Sequence, residues 1–543
     1  MAEPKSQGMF VRKASGLVRS WSVFDGFVYA FFSINLVTLG FFIFSFAPYI
    51  PEANLLTAIV ISGIFIIFEV FVYALLVAVM PRAGGDYVWQ SRILGGGIGF
   101  VLSITGWAWI LWHWVPLYGN MLAYNVFTPI LGMLSGWTGS EGLYNAASWF
   151  VTTNGFFVSS LVVIGLAFIY VSLGMSWYAR IQKFCFFLGM AGMATMIIMM
   201  LANNRADFVV GFNQYANEFF AAGGGNVYQE ILTASAEGGY APAPINRIAL
   251  GASLALIPMV VFFNLWPNWG ATLYGEVRGA SDFKRNFWSM ASGLVATTIL
   301  ALIVLGLIAR VIGWDFYNAA NFTFYEGTSP FGVFPYPALL VSFLTDSPLL
   351  QMWLLISMSA WFFGWCGTVF LSSTRVIFAA AFDRILPEWM ARVSTKYRSP
   401  VNALTVMAVG GVIVSAGMHY TENLETYALN STVVIAVTYF GTTVAGTILP
   451  YRDPELYNTS PIARLKIFGL PLITVTGAIF GAFLLFLFYM WATDAVYGIN
   501  EPVSYLYMAV LYGISIAIYY GSRAYRRKQG INLDEIHKSI PVE

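Results

Sequence analysis

Charged side chains are scarce in this chain. Only 10% of the 543 residues are Asp, Glu, Lys or Arg, whereas soluble proteins carry about 25%. The formal net charge of +1 offers no surface for a polyanion, so we expect no nucleic-acid partner. A chain with so little charge and 58% hydrophobic residues is predicted to be an integral membrane protein, with the lipid bilayer as its surroundings.

Cysteine and histidine are also rare. Cys185 and Cys366 both lie in apolar runs, where a thiol usually behaves as a small core residue, so neither a disulfide nor a metal site is expected. The three histidines, His113, His419 and His537, are far apart and show no metal-ligand or nucleophile spacing. The Gly-x-x-x-x-Gly-Lys-Ser/Thr motif is absent, which argues against an ATP-driven pump, and we expect no cofactor.

Long apolar runs are what the sequence has in abundance. A helix needs about 20 apolar residues to cross a hydrocarbon core of about 30 Å. The sequence therefore predicts an all-α integral membrane protein with twelve transmembrane helices, at 23–47, 55–80, 98–127, 156–174, 182–202, 249–274, 288–312, 349–378, 401–418, 428–449, 469–492 and 504–522.

Basic residues set the orientation of these twelve spans. With the amino terminus in the cytoplasm, all but three of the 27 Lys and Arg fall on the cytoplasmic side, the exceptions being Arg205, Arg247 and Arg310. The positive-inside rule predicts this asymmetry. We therefore expect a multi-pass protein of the plasma membrane with both termini cytoplasmic.

The sixth span is predicted to be broken near its middle, at Asn264–Asn268, which reads NLWPN. Pro267 has no backbone N–H and its ring crowds the carbonyl one turn back, so the helix must open there. Non-helical backbone is tolerated at that depth only where it is buried in protein or lines a watery cavity. The break therefore predicts a site for a polar solute or an ion.

Spans one to ten are predicted to form two units of five spans each. Cytoplasmic hairpins follow span two at 81–97 and span eight at 383–400, which are corresponding places if spans one to five and six to ten are copies. An odd number of spans inverts the second copy in the membrane, and this arrangement suits alternating access. The predicted divisions are a tail 1–20, repeat one 21–202, an external loop 203–248, repeat two 249–449, spans eleven and twelve 450–522, and a tail 523–543.

Span one should then be broken as well. Ser33 and Asn35 lie about ten residues into it, near half of its length. Their short polar side chains can bind neighbouring backbone and compete with the helical hydrogen bonds. We place the partner break at these residues.

Five short stretches resemble the amino acid–polyamine–organocation permeases. In order they are Ser22–Asp25, Pro81–Tyr87, Arg180–Lys183, Gly275–Arg278 and Asp383–Pro387. The resemblance extends over most of residues 20 to 450. It implies an inverted five-plus-five repeat of the leucine-transporter type, with discontinuous helices one and six. It also implies substrate binding at their unwound centres and uptake or exchange of amino acids or related amines.

One departure from the family concerns the break in span one. Members that bind amino acids usually have glycines there, whereas this chain has Phe32–Leu36. A helix N-terminus could still hold the carboxylate, with Ser33, Ile34 and Asn35 in the substrate site. The family's ion-linked position in span five is sometimes a lysine and aligns here with Gly189, so the coupling ion stays open between H⁺ and Na⁺.

Around the sixth-span break we predict that Asn264, Leu265, Trp266 and Asn268 bind substrate. The asparagines could instead form hydrogen bonds with the backbone groups that the break leaves unpaired, and Trp266 could pack against lipid. His113 in span three is predicted to face the site, unless a neighbouring carbonyl satisfies it. Ser372 to Thr374 offer hydroxyls suited to sodium but lie close to the cytoplasmic end of span eight.

Glu69 is an acidic residue deep in span two. A carboxyl group in apolar surroundings can carry a proton, and a structural hydrogen bond to another helix is the alternative reading.

These patterns predict a secondary transporter that moves a small polar solute, an amino acid above others, by alternating access. A transporter of the same fold for an amine or a nucleobase is the first alternative. A membrane-embedded enzyme, a channel and a transporter-derived sensor are the others, and the enzyme would need a clustered catalytic set that the sequence does not show.

Overall fold

The computed structural model describes residues 17, 19–220, 224–242, 245, 249–421, 427–497 and 499–540, and this part of the chain is almost entirely helical. It contains the twelve predicted spans. In order they are Val23–Phe44, Leu55–Val79, Gly96–Thr138, Thr153–Ser172, Met175–Ala202, Leu250–Glu276, Phe283–Tyr325, Pro348–Phe382, Val401–Tyr420, Asn430–Arg452, Leu472–Thr493 and Pro502–Lys528.

Short helices and one small hairpin connect the spans. The α-helices are Asp86–Ile93, Glu141–Phe150, Arg205–Phe220, Val227–Glu237, Pro337–Ser342, Pro454–Thr459 and Leu533–His537. Short 3₁₀ turns lie at Ala47–Tyr49, Glu388–Ala391 and Ala495–Tyr497. The two strands, Lys466–Ile467 and Leu470–Pro471, pair antiparallel.

Several spans are longer than their apolar runs. Spans three and seven each continue for 43 residues, because their helices extend beyond the predicted apolar part. Span three contains π-helical turns at Thr105–Trp109 and Ala123–Phe127. Span five begins at Met175 rather than near 182, so the stretch Arg180–Lys183 lies within its first turns.

Burial divides the spans into a centre and a periphery. The apolar windows of spans one and eight are each 89% buried inside the protein, while that of span twelve is 22% buried. Span one packs on span seven, span five on span eight, and span eleven on spans two and ten. Spans one, three, six, eight and ten therefore meet in the middle of the bundle. We call the end where span one begins and span twelve ends the terminal face, and the opposite end the loop face.

The last described helix, Leu533–His537, folds back onto the terminal face. The His537 ring packs so closely on Gly96 that a Cβ there would lie 2.2 Å from its Nδ1. The Tyr87 hydroxyl lies 3.3 Å from His537 Nε2, and Arg92 Nε donates to the Ser539 carbonyl at 3.3 Å. The end of the chain is thereby attached to the segment between spans two and three.

Candidate functional site

Span six is broken where Pro267 predicts it. The α-helix Leu250–Asn264 ends just before Leu265, and the chain resumes as a 3₁₀-helix at Pro267–Glu276. Proline fits the first turn of the second segment, because the N–H it lacks has no partner within a helix at that position. Trp266 lies between the two segments and its Nε1 donates to the Phe262 carbonyl at 2.6 Å. The predicted break is confirmed.

Span one is broken at Asn35, as expected for the counterpart of span six. Asn35 adopts a left-handed conformation with φ 42°, between the α-helix Val23–Ile34 and a π-helical turn at Leu36–Gly40. Its Oδ1 accepts from the Thr38 N–H and its Nδ2 donates to the Trp361 carbonyl, both at 3.0 Å. Asparagine tolerates this conformation better than most residues because its side chain can bond locally. Asn35 therefore both makes the break and caps the helix that follows.

Replacing Asn35 by alanine is expected to lower the free energy of unfolding by about 2–4 kcal/mol. The change removes a helix cap, leaves buried backbone groups unpaired and places a residue without a locally bonding side chain in a left-handed conformation. Denaturant titration in mild detergent measures the loss. Asn35→Gly keeps the backbone conformation and should cost less, so an equal loss in both variants would contradict the conformational part of this argument.

Span eight has an interruption that we did not predict. Its helix stops at Trp365 and restarts at Thr368, with Cys366 and Gly367 between. The signal was present in the sequence as Gly364 and Gly367 three residues apart in an apolar run. Ser372 in the second half donates to the Trp269 carbonyl at 3.0 Å and lies 2.7 Å from the Tyr29 hydroxyl. Span eight therefore ties the broken spans one and six together.

Six aromatic side chains pack around the break in span six, and we call them the aromatic cluster. Trp114 of span three is at its middle, with ring centroids 5.1 Å from Trp266, 5.6 Å from Trp269 and 6.0 Å from Trp365. All members are at most 1% exposed. The cluster consists of Trp107, Trp114, Trp266, Trp269, Trp365 and Tyr439.

Seven buried polar atoms without hydrogen bonds lie in and beside this cluster. Within the described part of the chain, the amide nitrogen and oxygen of Asn268 and the Oδ1 of Asn264 have no partner. The same holds for the indole nitrogens of Trp114, Trp269 and Trp365 and for the Tyr439 hydroxyl. Buried polar groups are ordinarily paired, so these seven atoms require an explanation. A polar ligand held at the break would supply the missing partners.

A cavity of about 560 Å³ leads from the loop face toward the cluster, and we call it the vestibule. Its walls come mainly from spans one, three and six. The lining residues include Phe42, Leu117, Met259, Phe262, Tyr325 and His419. Phe262 stacks on Trp114 at 5.2 Å with an interplanar angle of 14°. These two rings separate the vestibule from the break.

The terminal face is sealed by three ion pairs, and the acidic member of each lies in one of the short stretches quoted above. Glu276 pairs with Arg375 of span eight at 2.8 Å, and both side chains are at most 1% exposed. Asp383 pairs with Arg92 at 2.6 Å, and Asp25 pairs with Lys183 at 3.0 Å. The stretch after span two adds to the seal, since the Gly84 N–H donates to the Thr272 carbonyl at 2.8 Å.

The remaining predicted site residues are placed as follows. Ser33 and Ile34 are fully buried in the last turn before the break, and the Ser33 hydroxyl donates to the Tyr29 carbonyl of its own helix. Leu265 is fully buried between the segments of span six. His113 contacts Tyr507 of span twelve through its ring nitrogens, so its hydrogen bonds run away from the cluster. Asn264 Nδ2 donates to the Ser62 hydroxyl of span two at 2.7 Å.

Gly189 of span five lies against span eight. The Trp361 indole donates to the Gly189 carbonyl at 3.0 Å, and a Cβ at this position would be 2.9 Å from that indole nitrogen. The space that a longer side chain would need is therefore filled by Trp361.

Comparison with known proteins agrees with this architecture. The model of a family described as amino acid permease matches residues 24–515. The chain is 21% identical over 467 residues to the branched-chain amino acid permease BcaP of Lactococcus lactis subsp. cremoris (strain MG1363). The matched residues cover 85% of each of the two chains. Over 189 residues it is 28% identical to the large neutral amino acids transporter small subunit 2 of Rattus norvegicus, covering 34% of this chain and 33% of the relative.

These relatives are transporters by name rather than enzymes, and the family has the inverted five-plus-five repeat fold with discontinuous helices one and six. Twelve apolar helices, with spans one and six both broken, fit that fold. The chain is a multi-pass membrane protein that belongs to the amino acid permease family.

Proposed function

We propose that this protein is a secondary active transporter for neutral amino acids with apolar side chains, and that it works by alternating access. The observation that carries the proposal is the aromatic cluster with its unpaired polar groups at the break in span six. Indole rings bury apolar side chains well, while a few polar groups fix the orientation of a ligand. The names of both relatives, for branched-chain and for large neutral amino acids, support the same substrate class.

In the proposed complex, Asn264, Leu265, Trp266 and Asn268 contact the substrate from span six. From span one, Ser33, Ile34 and Asn35 form the opposite wall. Asn35 caps Thr38, which leaves the N–H groups of Leu36 and Val37 at a helix start, where no partner exists within the helix. Such N–H groups attract a carboxylate. His113 is not needed in this arrangement, because its ring is bonded to span twelve.

The proposed cycle uses the two barriers on either side of the break. Phe262 and Trp114 close the loop side, and the ion pairs of Glu276 and Asp383 close the terminal side. The arrangement of basic residues supports a cytoplasmic terminal face in the plasma membrane, so the vestibule would face outward. Residues 21–202 and 249–449 are the two proposed repeats, with spans eleven and twelve outside them.

Reconstitution in liposomes tests this function. We expect labelled leucine or phenylalanine inside to exchange with the same amino acid outside, and we expect lysine, glutamate, putrescine and uracil to compete poorly. Exchange of an amine or a nucleobase instead would replace the substrate class, and no exchange of any solute would overturn the transport function.

Asn268 gives a direct test of the site. Asn268→Ala should weaken substrate binding by about 2- to 12-fold, because one hydrogen bond contributes a net 0.5–1.5 kcal/mol. Isothermal titration of the purified protein with the exchanged amino acid measures the change. Asn402→Ala, whose amide donates to the Trp389 carbonyl far along the chain from the break, is the matched control and should bind normally. Equal affinity in both variants would move the site away from Asn268.

A further inference from the structure

Two buried carboxyl groups lie beside the aromatic cluster. Glu69 is in span two, and Asp86 begins the helix Asp86–Ile93 that follows it. Both residues are 0% exposed, and they interact electrostatically with each other. No Lys or Arg is among the groups that act on either carboxyl in the described part of the chain. Two negative charges in this setting would repel each other without compensation.

The surroundings of Asp86 stabilise a negative charge on its carboxyl group. Its Oδ1 accepts hydrogen bonds from the Tyr73 and Thr442 hydroxyls, both at 2.6 Å, and its Oδ2 accepts one from Trp107 Nε1 at 3.0 Å. Burial raises the pKa of Asp86 to about 6, and these hydrogen bonds oppose the rise. At neutral pH the donors favour the carboxylate, since each of them stabilises the charged form.

Glu69 has the opposite surroundings. Neither carboxyl oxygen has a hydrogen-bond partner in the described part of the chain. An isolated carboxylate without donors in apolar surroundings is costly, and the nearby Asp86 charge adds to that cost. Protonating Glu69 removes the cost, because the pair then carries one charge, which Asp86 holds.

The remaining titratable groups near Glu69 are two tyrosines. Tyr73 is on the same helix and Tyr439 is on span ten, and both interact electrostatically with Glu69. Spans six, seven, ten and eleven pack against span two, and Tyr439 is the titratable group that they bring to Glu69. Neither tyrosine supplies a positive charge.

Tyr439 also connects the pair to the proposed substrate site. Its ring centroid lies 6.3 Å from that of Trp266 and 5.7 Å from that of Tyr73. Its hydroxyl has Asn268 and Trp269 as polar neighbours. A ligand that bonds to Asn268 or moves Trp266 therefore changes what surrounds Tyr439, and with it the surroundings of Glu69.

We propose that Glu69 and Asp86 form a proton site that couples this transporter to H⁺, with Glu69 as the proton carrier and Asp86 as the fixed anion. The inference rests on the proposed transport function. Glu69 as a carboxylate takes up one proton from water on one side of the membrane, which changes the charge of the pair from −2 to −1. Glu69 releases the same proton to water on the other side, so one H⁺ accompanies each transport cycle.

The test uses the full-length protein in liposomes with two separate readouts. Exchange of labelled amino acid at equal pH on both sides reports transport alone. Accumulation driven by an acidic exterior, together with the signal of a pH-sensitive dye inside, reports proton coupling. We expect the unmodified protein to accumulate substrate and to acidify the interior only when substrate is present.

Variants of the pair then distinguish its two members. Glu69→Gln should keep exchange within about twofold, reduce accumulation to equilibration and lower the proton signal by about tenfold or more. Glu69→Asp should restore part of both. The negative charge of Asp86 favours the protonated form of Glu69. Asp86→Asn removes this charge, so the pH dependence of accumulation should shift to lower pH. Glu326→Gln, an exposed glutamate at the loop face, is the control.

Each outcome decides one of the two proposals. No exchange by the unmodified protein overturns the transport function itself. Exchange without proton-driven accumulation, or accumulation that follows a sodium gradient at equal pH, overturns the proton site while leaving transport intact. Full proton coupling in Glu69→Gln also overturns it. If Glu69→Gln fails to fold, the dye signal of the unmodified protein and the pH shift of Asp86→Asn still decide.

Discussion

Replacing Glu276 by glutamine is expected to lower the free energy of unfolding by about 3–5 kcal/mol. Arg375 donates from Nε and Nη2 to the two carboxylate oxygens of Glu276 at 2.8 and 3.3 Å, and neither side chain is more than 1% exposed. Removing one charge leaves a buried guanidinium without a counterion, and this is costlier than losing the pair. Denaturant titration in mild detergent measures the effect.

A double variant separates the two contributions. Glu276→Leu combined with Arg375→Met replaces the pair with apolar side chains, which is often neutral for stability. The double variant should therefore be more stable than Glu276→Gln. Glu388→Gln is the matched control, because its pairs with Arg384 and Arg526 involve a carboxylate that is 58% exposed and contribute little. A loss below about 1 kcal/mol in Glu276→Gln would contradict the assigned burial.

Replacing Trp266 by alanine is expected to weaken amino acid binding by about 30- to 700-fold. Buried tryptophans at the centre of a binding site typically contribute about 2–4 kcal/mol, and each 1.4 kcal/mol corresponds to a factor of ten. Trp266 is 0% exposed and lies between the segments of span six, in contact with Trp114 and Trp269. Isothermal titration and the half-saturating concentration for exchange both measure the loss.

Two further variants are compared with Trp266→Ala, a conservative change at the same residue and a control elsewhere in the protein. Trp266→Phe keeps an aromatic ring and should lose less affinity than Trp266→Ala. Trp288→Ala removes a tryptophan of span seven that is 63% exposed on the outside of the bundle, so binding should not change. Comparable affinities for Trp266→Ala and Trp288→Ala would mean that Trp266 packs only against its neighbours.

The membrane spans and both predicted breaks followed from the sequence because their causes are local. An apolar run of about 20 residues is enough to indicate a span. Pro267 lacks an N–H whatever surrounds it, and the polar side chain of Asn35 caps a residue three positions further on. The ends of spans three and seven were harder to place, because their helices continue beyond the apolar residues that define a membrane crossing.

The parts of the site that the sequence did not reveal depend on contacts between distant segments. Trp114 is one of 18 tryptophans, and only the packing of spans three, six and eight makes it the middle of the aromatic cluster. Asp86 lies in a stretch quoted for its resemblance, while its burial arises from Tyr73, Trp107 and Thr442 on three other helices. His113 was predicted to face the site from its depth in span three, and this stays a prediction; its ring nitrogens contact Tyr507 of span twelve.

The two ends of the described chain contact members of different ion pairs in the terminal seal, Glu276 with Arg375 and Asp383 with Arg92. Just before span one, the Ser20 N–H donates to the Glu276 carbonyl at 2.9 Å, whereas the Tyr87 hydroxyl joins His537 to Asp383. A movement of the Glu276–Arg375 pair relative to the Asp383–Arg92 pair would therefore change the distance between Ser20 and His537. One spectroscopic label beside Ser20 and another beside His537 would measure this distance, and neither label would contact the proposed substrate site.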